Sequence, residues 1–320
     1  MANSVDITAL NQKLGEYCRD KKAELFSGML LDQSFQDRFH VMDDVTDELV
    51  LPRLDISDFL KPALPGAFRP TPNALKFSAR ILKVRSVHGD LTLVPEALEK
   101  SWLGQFKSQG SNPTDMPFEE YLMNYIAKSA RNQLHLKGVY KGIHNANGTS
   151  PSDMINGWLK LVVDAIAAGD ISETNKNLVE TGAITKANVI DSLEKIYDGI
   201  DEPYKAMDIQ MLVAPTIYDW YNRAYRSEFG ANNNYGGMEK NAPILLDGTN
   251  CYVYREPGLT GSQRVICSVK ENMCYGVDSI SDINTIRTKE QIRSIDVALS
   301  FKAGVEFRQL DGALVVNECA

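Results

Sequence analysis

The residue types best suited to chemistry are dispersed along this chain. The histidines His40, His88, His135 and His144 form no H-x-x-x-H or H-E-x-x-H pair, so no helical turn offers two imidazoles to one metal ion. The cysteines Cys18, Cys251, Cys267, Cys274 and Cys319 include no C-x-x-C, and the spacing of zinc ligands is missing. Asp43, Asp44, Asp47 and Glu48 make an acidic cluster, but it lacks the alternating ligands and the glycine of a calcium loop. A solvated turn is the simpler reading. No G-x-x-x-x-G-K-[ST], G-x-G-x-x-G or G-x-S-x-G occurs, so phosphate loops, dinucleotide fingerprints and nucleophile elbows are absent as motifs. A Cys–His nucleophile stays open beside the plainer reading of buried thiols and solvated imidazoles, because its members need not be neighbours in sequence. Trp220 and Tyr221 sit at helical spacing and read as core. The expectation is a protein without catalytic residues, cofactor or metal.

The elements that would position such residues point elsewhere. Residues 49–95 form an extended arm broken by Pro52, Pro62, Pro65, Pro70, Pro72 and Pro95, where no helix can persist. Lys76 to Val87 inside it is strand-like and basic, with Arg80, Lys83 and Arg85 able to form a local patch. Two strands joined by proline-rich turns cannot bury a core by themselves. Yet Phe59, Leu60, Phe68, Leu75, Phe77 and Ile81 are too apolar for a disordered linker. They need a partner surface.

Around the arm, the pattern predicts an amphipathic helix over 5–27 carrying Ile7, Leu10, Leu14, Cys18 and Leu25 on one face. A second helix of about 22 residues begins at Thr114-Asp115-Met116-Pro117, with Asp115 as cap and Glu119 and Glu120 at the positive end of the dipole. Gly138 is its expected stop. Residues 139–264 read as short α/β pieces: helices over Met154–Ala168 and Lys186–Gly199, and a buried strand at Ile209–Ala214. That strand runs into Pro215-Thr216 and an aromatic helix. Asn147-Gly148 is a turn. Strands are expected at 264–270 and 273–277, then a long one at 295–307 with every odd position apolar or small.

Composition bounds the rest. At 43% hydrophobic and 24% charged, 320 residues supply one large or two ordinary domains. The net charge of −8 argues against an all-round nucleic-acid-binding surface. An odd, unpaired cysteine set, no signal segment and no apolar run of about 20 residues predict a soluble intracellular product with reduced thiols.

This order of parts resembles the major capsid proteins of tailed phages, the Hong Kong 97 fold. Leu212-Val213-Ala214-Pro215-Thr216-Ile217-Tyr218 is similar to a strand-to-helix step of that family. Ser300 to Phe307, followed by Asp311 to Val316, is similar to its terminal strand and tail. The resemblance implies an α+β fold: an N-terminal arm (1–48), an extended β E-loop (49–97), a spine helix (98–140), an inserted α/β A-domain (141–264) and return strands with the tail (265–320). It implies self-assembly into hexamers and pentamers of an icosahedral shell around double-stranded DNA, with a portal, a separate scaffold and auxiliary or decoration proteins as partners. It also implies a virion location after assembly in the host cytoplasm. Phe68, Phe77 and Ile81 would anchor each arm on a neighbour, and Arg69, Arg80 and Arg85 would pair with a neighbour's carboxylates. An encapsulin-type compartment, a tail-tube or adaptor protein, and a soluble α/β enzyme with a site near Thr216 and Trp220 remain alternatives.

Overall fold

A computed structural model describes residues 7–31, 33–56, 60–61, 70–72, 75–94, 118–229, 243–278 and 285–319. The chain opens with α1 (Ile7–Asp20), α2 (Lys22–Leu30) and α3 (Gln33–Arg38). The single helix expected over 5–27 is thus two, broken at Lys21, whose φ of −104° and ψ of 16° leave the helical region. The break lets α2 reach a second core while keeping one residue in the first. Leu10, Leu14, Cys18 and Leu25 join one apolar cluster, while Phe26, Met29 and Leu30 turn into another.

Strands β1 (His40–Met42), β2 (Glu48–Ile56), β3 (Leu75–Lys83) and β4 (Arg85–Leu93) follow. The basic stretch expected as one strand is therefore divided at Val84, which is buried and donates its amide to the Asp47 carbonyl at 2.9 Å. The long helix comes next as α4 (Phe118–Gln133), continued by a π-helical turn at Leu134–Val139. It passes Gly138, the expected stop, by one residue. Then come α5 (Trp158–Ala168), β5 (Leu178–Val179), α6 (Val189–Asp198), α7 (Glu202–Lys205), β6 (Ile209–Val213) and α8 (Pro215–Phe229). The helix expected from Met154 starts four residues later, at Trp158, after a capped 3-10 turn at Pro151–Asp153. Strands β7 (Ile244–Leu245), β8 (Cys251–Arg255), β9 (Ile266–Val269), β10 (Met273–Val277), β11 (Thr285–Glu290), β12 (Ile295–Phe307) and β13 (Leu314–Asn317) complete the chain.

Two sheets organise these parts. In the first, β12 is the axis: β10 and β11 lie antiparallel along one side, β4 along the other, and β1 pairs parallel with β10. The thirteen residues of β12 bury every odd position, and among the even ones only Gly304 is buried. Ile295 and Val297 pack with Leu122, Met123 and Ile126 of α4 and with α1. The second sheet runs β5-β13-β9-β6-β8-β7, with all five residues of β6 buried. Pro215 starts α8 directly after β6, where its missing amide costs nothing.

Two strands of this second sheet, β9 and β13, come from the stretch whose resemblance groups it with the long ribbon. β13 pairs antiparallel with β9, and β9 with β6. The 3-10 turn Lys270–Asn272 is the crossing point at which the chain leaves one sheet for the other. Glu256, fully buried, faces Arg38 and lies 3.5 Å from His135 Nε2. It thereby ties α3, the π-turn and the end of β8 together.

Candidate inter-subunit surface

The two-stranded ribbon β2–β3 stands apart from both sheets. Its register pairs Val50 with Ile81, Pro52 with Ala79 and Leu54 with Phe77. Residues directly opposite in an antiparallel pair share a face, and faces alternate along each strand. One face therefore carries Val50, Pro52, Leu54, Leu75, Phe77, Ala79 and Ile81. The other carries Leu51, Arg53, Arg80 and Leu82. Proline is tolerated in the middle of β2 because each strand of an isolated ribbon has one edge without a ladder.

The two faces differ sharply in burial. Leu51 and Leu82 are buried with Val45, Val84 and Cys274 in a small cluster at the ribbon's root. Gly276 and Gly304 lie opposite each other on β10 and β12 and leave the slot that receives this root. A Cβ on Gly304 would lie 2.2 Å from the Lys83 carbonyl oxygen, and one on Gly276 2.8 Å from Leu82 Cδ2. Ion pairs tie the same underside down. Arg80 donates through Nη2 (2.7 Å) and Nε (3.2 Å) to Glu306 Oε1 on β12, and Arg53 reaches Asp311 at 2.8 Å. Burial pushes the Glu306 carboxyl above its ordinary range. Arg80 and the Phe307 amide pull it back only in part.

The opposite face is apolar and in solvent: Phe77 is 70% exposed, Leu75 62%, Val50 and Leu54 55% each, and Ile81 42%. Only the Glu48–Lys83 pair (2.7 Å) interrupts it, at the root. Isolated exposed apolar side chains are ordinary, but a continuous strip of them marks an interaction surface. Beyond the Glu48–Lys83 pair the described strip is apolar, a surface that gains by being removed from water. Among the described residues no group of three His, Cys, Asp or Glu side chains gathers where a metal ion could be held.

Phe77 and Ile81, expected as anchors, lie on this strip. Arg80 does not: its guanidinium is engaged by Glu306 of the same chain. Arg85 is exposed at the start of β4. Phe68 and Arg69 lie outside the described residues. Val50 and Leu54 complete the strip, although the sequence reading passed over them. Their signal was the alternation of apolar 50, 54 and 56 with charged 53 and 55, hidden by Pro52 and by the apolar Leu49 and Leu51.

Neither a protein-family model nor a curated protein sequence matches the chain. Solved structures do. A subunit of the satellite phage P4 procapsid that includes the size-determination (Sid) protein aligns with TM-score 0.60 at 13% identity, over 93% of this chain and 90% of that one. The capsid of an empty GTA particle aligns with TM-score 0.53 at 11% identity, over 88% of this chain and 94% of that one. The holo-SrpI encapsulin complex from Synechococcus elongatus aligns with TM-score 0.50 at 10% identity, over 89% and 86% respectively. The fold of this chain is the one these shell subunits share, a mixed helix-and-sheet capsid fold.

Proposed function

We propose that this chain is the major capsid protein of a tailed bacteriophage, a structural subunit that assembles with copies of itself into a closed icosahedral shell around double-stranded DNA. The observation that carries the reading is the exposed apolar face of β2–β3 on a subunit with a capsid fold. That face is completed when a second copy covers it. In this reading 1–48 is the N-terminal arm, 49–97 the E-loop, 98–140 the spine-helix segment, 141–264 the A-domain, and 265–320 the return strands and tail. Phe77 and Ile81, with Val50 and Leu54, anchor the E-loop on a neighbour. Phe68 and Arg69 extend that contact along the arm, and Arg85 offers a fork to a neighbour's carboxylate. Arg80 supports the ribbon from beneath.

The subunit catalyses no reaction. A portal, a separate scaffold and auxiliary proteins are its further partners, and the assembled protein resides in the virion after assembly in the host cytoplasm. An encapsulin shell is the second reading, favoured by the likeness to the encapsulin subunit. Negative-stain microscopy of the protein after size-exclusion chromatography tests both. Closed shells, or hexameric and pentameric rings, are expected, with DNA as the content of native particles. Shells holding a cargo protein would select the encapsulin reading, and a concentrated monomer with a protease-resistant ribbon would overturn both.

A further inference from the structure

A second surface lies on the far side of β4. A groove of about 570 Å³ opens there between the strand, the end of α4 and the loop 144–154. Four consecutive residues, Arg85, Ser86, Val87 and His88, form one wall. Side chains alternate across a strand, so a wall made of four residues in a row is the strand's edge, not one of its faces. β4 pairs with β12 alone. Among the described residues, the outward amides and carbonyls of 85–88 meet no backbone partner.

The opposite wall is fixed in place. Ile143 N bonds Ser152 O at 2.8 Å, Asn145 N bonds Asp153 O at 3.0 Å, and Gly148 N bonds Asn145 O at 2.9 Å, which closes the Asn147-Gly148 turn. His144 donates Nδ1–H to the Met154 carbonyl at 2.9 Å, leaving Nε2 as its remaining polar atom. His88 Nδ1 sits 3.1 Å from Ser300 Oγ. The carboxylate lining this wall, Asp153, is turned back on its own loop, where Oδ2 accepts from Ser150 N at 2.9 Å. Among the described residues, the groove thus presents one guanidinium, two imidazoles, one carboxylate hydrogen-bonded to its own loop, and an open strand edge.

We propose that this groove binds an extended acidic polypeptide segment, which adds to the edge of β4 and sets a carboxylate against Arg85. The open edge is what selects the class of partner. A run of alternating amide donors and carbonyl acceptors is matched by another extended backbone and not by a phosphate chain. The Arg85 guanidinium then selects an acidic side chain beside that backbone. The groove lies apart from the apolar strip on β2–β3 and shares only Arg85 with the proposed neighbour contact, so peptide binding is read on the unassembled subunit.

Hydrogen exchange on the full chain tests it, with a blocked hexapeptide of alternating glutamate and valine as the probe. Three further probes run beside it: the same peptide N-methylated at alternate amides, its lysine counterpart, and inorganic phosphate. Slowed exchange confined to 85–88 and the 144–154 loop is expected with the glutamate peptide, with affinity falling about tenfold on N-methylation and about tenfold in Arg85→Glu. Arg85 is exposed, so an unchanged melting temperature of that variant separates lost binding from lost folding. Equal binding of the N-methylated peptide, or full displacement by phosphate, would reduce the site to a charge patch and overturn the proposal. Equal binding of the lysine peptide would remove its acidic selectivity, and protection in the free chain of those amides of 85–88 that point away from β12 would remove the open edge.

Discussion

The ribbon β2–β3 and the strand β6 are made from the same kind of residue and end in opposite environments. Ile209–Val213 is buried at every position, between β8 and β9 and beneath helices. Val50, Leu54, Phe77 and Ile81 are equally apolar, yet they face solvent while only the ribbon's underside is sealed. β6 draws its stability from its own chain. The ribbon's outer face gains stability only when something else covers it, at about 25 cal/mol per Å² of apolar surface removed from water. In the proposed reading, residues that fold the chain and residues that assemble it are therefore separated in space, and they should separate in experiment.

The largest effect should come from Leu54→Glu combined with Phe77→Glu. Each side chain is worth about 1.5–3 kcal/mol when fully buried, so assembly should fall by at least tenfold on sedimentation, with the melting temperature of the free subunit unchanged. A subunit that melted early would break the comparison, because the strip would then belong to the core. Met211→Ala should do the reverse. It hollows a fully buried site and should cost about 2–5 kcal/mol in urea denaturation of the subunit itself.

The smallest effect sharpens the contrast at the ribbon's underside. With the Glu306 carboxyl raised above 4.5 in the folded chain, the native state holds more protons than the unfolded one between that value and the raised one. This group's contribution to stability therefore falls as pH rises through that window, and is most favourable below it. Glu306→Gln should flatten the slope, by a degree or two (~1–2 °C) between pH 4.5 and 7 in a melting series. An unaltered slope would mean that other carboxyls set it.

How legible these features were depended on how local their causes are. β12 could be read residue by residue, since thirteen residues of strict alternation leave no other period. The step from β6 into Pro215 and α8 was equally plain, because proline's fixed φ and absent amide act where they stand. The division of the N-terminal helix at Lys21 was not, since it answers to two clusters of distant residues. Nor was the place of β9 and β13 in the second sheet, for pairing partners are chosen across the fold. Arg80 shows the same limit in the candidate site. Its place in a basic strand was readable, but its engagement with Glu306, 226 positions later, was not. The apolar strip was half visible: Phe77 and Ile81 stood out, while Val50 and Leu54 were masked by a proline that an isolated ribbon accommodates without penalty.

The glycine slot at Gly276 and Gly304 has a mechanical consequence. The ribbon's nine paired residues extend roughly 30 Å from that slot at about 3.4 Å each, packed at the root and held farther out, among the described residues, by the Arg53–Asp311 ion pair. It is a lever with a short, tightly seated fulcrum. A tilt of about 10° there would sweep the far end through about 5 Å over that length, while Leu82 and Val84 would barely shift. One subunit could thus address neighbours at several angles without unpacking its core.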